Sequence, residues 1–281
     1  NPFPSKDGLE NIKKEFIEEV IYDTHSILKF KELIISEDLS ELSNKTIAVY
    51  GPFGSGKTTL FQYMRRLIEL HHSRVLVVSI PLEARTDVKE IRKKFFLKLS
   101  THLEKETLDK FSSPITSLTD HQENCLRMIN DLSTVYDLIF IFIEDIYKYS
   151  STGNYIDEIT EFINGLQLYR KDFSLEDLKT SFFFSSLTEI VGRIKGNHSI
   201  SGSVDVYHKM ANITLRNALE MINKRLKAFS EDPQNPPQIS REYLSRLKRM
   251  AKQNGTPVKT FRDYIEIILD RFTRMEFTES A

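Results

Sequence analysis

Between positions 51 and 58 the chain reads Gly-Pro-Phe-Gly-Ser-Gly-Lys-Thr, which fits G-x-x-x-x-G-K-[ST]. That spacing suits the phosphates of a nucleoside triphosphate. Gly51, Gly54 and Gly56 let the backbone turn tightly, so that successive N–H groups can point at phosphate oxygens. Pro52, Phe53 and Ser55 fill the rest of the turn. The Lys57 ammonium is expected to reach the β- and γ-phosphates, and the Thr58 hydroxyl to coordinate Mg²⁺. Thr59 completes the phosphate-binding set, and the following helix adds the positive end of its dipole. The cofactors expected from this pattern are ATP and Mg²⁺.

A second group could act on water. Ile141-Phe-Ile-Glu144-Asp145 ends the most apolar run of the chain in two carboxylates. Triphosphate hydrolysis needs an acid on the hydration shell of the metal and a neighbouring carboxylate that orients or deprotonates water. Glu144 is assigned to the metal and Asp145 to the water. The acidic strand is expected beside the strand that leads into the glycine-rich loop. The order Glu-Asp inverts the commoner Asp-first order, and Glu is one methylene longer. A site that binds ATP and turns it over slowly is therefore a second expectation.

These groups need elements to hold them. Thr46–Tyr50 (TIAVY) reads as a buried strand ending at the loop, and Thr58–Leu70 as an amphipathic helix. Arg74–Ile80, Leu138–Ile143 and Ser181–Phe184 read as further strands, with Leu138–Ile143 central. Val204–His208 reads as a short edge strand. Helical spacing appears over 9–35, 88–103, 121–136, 156–168 and near Leu187–Ile194. Polar residues 104–120 read as a helix end and loop, and Gly192, Gly196 and Gly202 mark 192–203 as a loop. After Thr214 only helical patterns follow: 214–229, Ile239–Gln253 and Val258–Phe272. The Pro-rich stretch 230–238 and the turn Asn254-Gly-Thr-Pro257 separate them. Strands alternating with helices predict an α/β fold with a parallel sheet flanked by helices, and the tail predicts a small α-helical domain. The expected division is 1–43, a helical segment packing near the nucleotide site; 44–210, the α/β domain; and 211–281, the helical domain.

Composition narrows the classes. Of 281 residues, 40% are apolar and 28% charged, which fits a folded globular chain. The formal net charge is −1, so any nucleic-acid contact must come from a local basic patch. One cysteine, Cys125, excludes an intrachain disulfide and a cysteine-based zinc site. No run is long and apolar enough for a membrane span, and Asn1-Pro-Phe-Pro is no signal peptide. A cytoplasmic setting is expected.

With the two motifs placed, the chain resembles the AAA+ and related STAND/KAP branch of P-loop ATPases. Ile47 to Leu60 resembles the KAP-type phosphate loop, in which an aromatic residue often stands where Phe53 does. The run IFIFIEDIYK resembles the acidic strand of that group, with Tyr147 where a third acid often stands. The layout resembles origin-recognition (initiator-type) AAA+ ATPases. That resemblance implies a polar sensor at the end of the strand SFFF, Ser185 or Ser186, and an arginine, Arg193, that acts on ATP held by a neighbouring subunit. It also implies that 211–281 is a lid, with ITLRNALEMINKRL as its first helix and 254–257 as its Gly-x-Pro turn. The lid arginine that often follows the Pro is absent. Val258 stands there, so either the lid does not sense nucleotide or Lys259 or Arg262, both nearby, substitutes.

The resemblance spans about 45–275 and implies a homo- or hetero-oligomer with nucleotide at the subunit interface. The activity it implies is that of an ATP-driven switch or motor acting on DNA or a DNA-associated complex. Lys224, Arg225, Lys227, Arg241, Arg246, Lys248, Arg249 and Lys252 could form a stripe on the lid for non-specific DNA contact. The alternatives are a slow STAND/KAP-type signalling or scaffold ATPase and a non-hydrolysing, ATP-bound structural subunit.

Overall fold

The structure, a computed structural model, describes residues 25–35, 39, 41–81, 101, 131–144, 180–210, 213–228, 230, 232, 234–256, 258–260 and 262–269. The readings over 1–24, 88–100, 104–120 and 156–168, and the role given to Asp145, lie outside them. The described residues fall into two compact units. One takes in Glu32–Tyr50 and Leu67–Lys209, the other Gly51–Arg66 and the described residues from Met210 onward, with those up to Lys31.

The first unit is built on a five-stranded, all-parallel sheet. Its strands are β1 (Thr46–Tyr50), β2 (Val75–Pro81), β3 (Leu138–Glu144), β4 (Thr180–Ser186) and β5 (Val206–Lys209). Their order across the sheet is β2-β3-β4-β1-β5. β3 and β4 are buried along nearly their whole length, as parallel strands covered on both faces must be. Phe183 fixes their register: its ring meets Phe142 at 5.0 Å and Phe140 at 5.4 Å, edge to face in both cases. At the edge, Thr46 N donates to Asp205 Oδ2 at 2.7 Å and Asp205 N to Thr46 O at 2.9 Å, which ties the entry of β5 to β1.

Two expectations about this sheet need correction. The acidic strand β3 does not lie beside β1, because β4 is inserted between them. β3 is still an interior strand, between β2 and β4. Pairing partners far apart in sequence are set by packing, which no local pattern records. The stretch 192–203 is also no open loop. Helix α3 (Thr188–Gly196) runs through Gly192 and is followed by the short α4 (His198–Ser201). Ile190, Val191 and Ile194 bury one side of α3, and this amphipathic anchoring outweighs the roughly 1 kcal/mol helix penalty of Gly192.

Helix α1 (His25–Ile35) buries Ile27, Phe30 and Ile34 and leaves Leu28 exposed. The Ile34 carbonyl meets His72 Nε2 at 2.6 Å. Helix α2 (Lys57–His71) leaves the glycine-rich loop and buries Leu60, Phe61, Met64, Leu67 and Ile68. These are the positions its periodicity singles out.

In the second unit, α5 (Leu215–Ala228) and α6 (Arg241–Gln253) share a core with Ile239, Val258, Tyr264 and Ile268. Ser240 caps α6, its side chain accepting from Tyr243 N at 3.1 Å, a contribution of about 1 kcal/mol. The last helical run, 262–269, starts later than the expected Val258. Thr260 and Asp263 form a reciprocal cap: Thr260 N donates to Asp263 Oδ2 at 2.7 Å and Asp263 N to Thr260 Oγ1 at 3.3 Å.

Candidate nucleotide site

Parallel strands bring their carboxyl ends to one edge of a sheet. In register, Val49 pairs with Ser185, Tyr50 with Ser186 and Ile143 with Phe184, so Glu144 ends β3 at the same edge. Glu144 and both serines thus stand where β1 runs out. One peptide bond after Tyr50 the glycine-rich loop begins. Ligands of open α/β sheets bind at this carboxyl edge.

The loop has the conformation its glycines predict. Gly54 and Gly56 take φ of 70° and 89°, values that cost an L-residue about 1–2 kcal/mol. Gly51 is needed for a different reason: a Cβ there would lie 2.9 Å from Ser55 Oγ and 3.0 Å from Met210 Cβ. Ser55 N donates to Pro52 O at 3.3 Å, and Leu60 N to Gly56 O at 2.8 Å as α2 begins. Lys57 is buried, at 6% exposure, and folds back over the loop. Its Nζ donates to Gly51 O at 3.0 Å and to Pro52 O at 2.9 Å. A buried ammonium fixed over a nest of backbone amides is an anion site. Among the described residues the buried Ser55 Oγ has no hydrogen-bond partner, and an oxyanion would supply one. The residues present therefore fit a phosphate group. Phe53, at the tip of the loop, is 56% exposed. Thr58 and Thr59 are half-buried in the first turn of α2.

Among the described residues no group of three or more His, Cys, Asp or Glu could hold a metal ion. Mg²⁺ in a triphosphate site needs none, since substrate phosphates and water supply most of its ligands. The Thr58 hydroxyl and the half-buried Glu144 carboxylate are suitable hard oxygen donors.

Ser185 and Ser186 are both fully buried, and Ser186 Oγ meets no hydrogen-bond partner among the described residues. Arg193 is exposed in the last turn of α3 and forms no ion pair among the described residues. Two residues further on, Lys195 pins this helix end to the sheet. Its Nζ lies 4.4 Å from the Tyr207 ring centre and 5.3 Å from that of Tyr50, and donates to Tyr50 Oη at 3.5 Å. Burial, then the neighbouring Tyr50, raises the Tyr207 pKa. Sequence reasoning missed this cluster, whose members come from three separate elements, with Tyr50 far from the other two in the chain.

The segment after the Gly-x-Pro turn reaches the loop. A Cβ on Gly54 would fall 2.7 Å from Thr260 Oγ1 and 2.8 Å from Arg262 Cβ. Of the two substitutes for the missing lid arginine, Arg262 therefore starts at the loop. Val258 is buried in the helical core, at 8% exposure. A charged residue at that depth would need a partner. The cap at Thr260 also escaped the sequence reading, although Thr-Phe-Arg-Asp is itself a capping signature. Two members of the expected basic stripe do not belong to a solvent face. Arg225 is buried, its pKa lowered to about 10 by that burial. Lys248 donates to Tyr264 Oη at 2.8 Å.

Sheet and loop together define the P-loop nucleoside-triphosphate-binding class. Residues 41–183, just over half of the chain, match the family model described as an AAA domain. The chain belongs to that family. Among solved structures it is similar to Cdc6p from Pyrobaculum aerophilum, with TM-score 0.52 and 16% identity over 87% of this chain and 67% of that one. It is also similar to Hsp104 in the S. cerevisiae Hsp104:casein complex, with TM-score 0.53 and 12% identity over 91% of this chain and 38% of that one. A further likeness is to the Aeropyrum pernix ORC2 protein in ADPNP-ADP complexes, with TM-score 0.47 and 11% identity over 86% of this chain and 66% of that one. The chain thus spans about two thirds of the length of the Cdc6p and ORC2 chains. At such identities the likeness concerns the fold alone. Comparison with curated proteins finds no match. Among the described residues no helix is long and apolar enough to cross a membrane.

Proposed function

We propose that this protein is an ATP-binding and ATP-hydrolysing switch subunit of the AAA+ class, working on DNA or a DNA-associated complex from the cytoplasm. The observation that carries this reading is the glycine-rich loop, with Lys57 buried and folded over it.

In this reading the loop from Gly51 to Gly56 presents backbone amides to the phosphates, and Lys57 leaves the Gly51 and Pro52 carbonyls to meet the β- and γ-phosphates. Thr58 and Glu144 hold Mg²⁺, which when bound neutralises charge on the phosphates. Asp145 orients and deprotonates the attacking water. Ser185 senses the γ-phosphate from the carboxyl end of β4. Arg193 reaches ATP on a neighbouring subunit and stabilises charge on the transferred group. Its exposure and its lack of an ion pair among the described residues support that role. Arg262 takes the part of the missing lid arginine, supported by its start beside Gly54. Binding and hydrolysis then close and release the helical lid of 211–281 against the α/β domain of 44–210.

A second reading keeps the binding and slows the chemistry, as in a STAND/KAP-type signalling ATPase or an ATP-bound structural subunit. The observation that favours it is the acid at the end of β3, a Glu in place of the shorter Asp. Size and turnover measured with ATP, with ADP and with added DNA separate the two. Turnover stimulated by DNA supports the first reading. Slow turnover, indifferent to DNA, with assembly that follows the nucleotide supports the second.

A further inference from the structure

The lid helix α6 is amphipathic in charge as well as in polarity. It buries Leu244, Leu247 and Ala251 in the helical core. Arg241, Arg246, Arg249 and Lys252 are exposed on its remaining surface, and Glu242 is its one acidic residue. None of the four cations makes an ion pair or hydrogen bond among the described residues. Three other basic side chains of this unit behave differently. Lys248 is taken up by Tyr264, Arg216 pairs with Glu220 at 2.9 Å, and Arg225 is buried. Lys227 and Lys259 also stand outside any ion pair among the described residues, but only α6 gathers four such cations on one helix face.

We infer that the exposed face of α6 binds the phosphate backbone of duplex DNA, without reading sequence. The inference rests on the DNA reading above and names the surface that serves it. Three of the four cations are arginines, whose planar fork matches phosphate oxygens in pairs. From Arg241 to Lys252 they span about 16 Å at 1.5 Å per residue, the axial length of roughly five nucleotides of one strand. Ser245 and Gln253 add further polar groups to this face. It has no apolar stripe to enter a lipid surface, which membrane-binding helices require.

The test uses the full chain, a fluorescent duplex of random sequence and a titration of salt, in the absence of nucleotide. Wild type should bind at low salt, equally for unrelated sequences. Arg246→Gln/Arg249→Gln/Lys252→Gln should bind at least about tenfold more weakly, and its slope of log K against log salt should be shallower by about 0.9 for each phosphate that is no longer neutralised. Both proteins should bind a fluorescent ADP analogue alike, which shows that the variant is folded. If wild type ignores the duplex at low salt, the DNA reading fails and this inference with it. If wild type binds and the variant binds equally with the same slope, the DNA reading stands and the assignment to α6 is wrong. If instead the substitutions abolish binding to phosphatidylserine vesicles and leave duplex binding intact, the occupant is an acidic lipid surface and the inference is overturned.

Discussion

Gly54 of the phosphate loop faces Thr260 so closely that a Cβ on the glycine would lie 2.7 Å from the threonine Oγ1. The threonine is itself buried, at 6% exposure, and held in its cap with Asp263. Loop and capped helix therefore meet backbone to hydroxyl, with no room for a side chain between them.

Gly54→Ala tests that closeness. It combines the strain of φ at 70° with a collision against a fixed cap, and should lower unfolding free energy by about 2 kcal/mol or more. Gly255→Ala serves as the comparison. Its φ is 79°, yet an added Cβ there meets nothing within 4 Å among the described residues, so it should cost about 1 kcal/mol, from strain alone. Equal losses in urea unfolding would show that the Gly54–Thr260 approach contributes nothing.

The lid substitution can be read through nucleotide selectivity. Arg262→Ala should weaken ATP about tenfold while leaving ADP nearly unchanged, as removal of one charge-assisted hydrogen bond to the γ-phosphate would. Lys259→Ala should leave both affinities alone. The reverse pattern, by calorimetry, would reassign the role to Lys259.

For the acidic pair, Asp145→Asn should lower kcat about 100-fold or more with ATP affinity retained, the usual loss when a general base is removed. Glu144→Gln should instead raise the Mg²⁺ concentration needed for half-maximal turnover. Wild-type kcat in Asp145→Asn would remove Asp145 from the chemistry.

Arg193→Ala and Lys57→Ala should each be inactive alone, since a finger arginine contributes about a thousandfold to kcat or more. Mixed together they should regain turnover. The Arg193→Ala subunit keeps an intact loop, and its Lys57→Ala neighbour keeps the arginine. A mixture no more active than its two parts would exclude a shared site.

Much of this was readable from short stretches of sequence. The loop at 51–58 is a local device, so its spacing alone located Gly54, Gly56 and Lys57. Strands β1, β2, β3 and β4 are apolar runs bounded by polar residues, and their expected bounds fall within two residues of those observed. What escaped were relations between distant residues. The insertion of β4 between β1 and β3 depends on long-range pairing. The Lys195–Tyr50–Tyr207 cluster depends on how α3 returns to the edge of the sheet. Gly192 misled because glycine marks loops as often as tolerated helix sites, and only the burial of Ile190, Val191 and Ile194 decides between them. Val258 shows the same lesson in the helical unit, where a position compared with a phosphate sensor proved to be core.

The most direct measurement is calorimetric titration of ATP with Mg²⁺ into wild type and into Lys57→Ala, with urea unfolding of both as a check on folding. Loss of the ammonium over the loop should weaken binding by about 100-fold or more, with the variant still folded. Equal affinity in the two proteins would mean that the triphosphate does not sit in this loop.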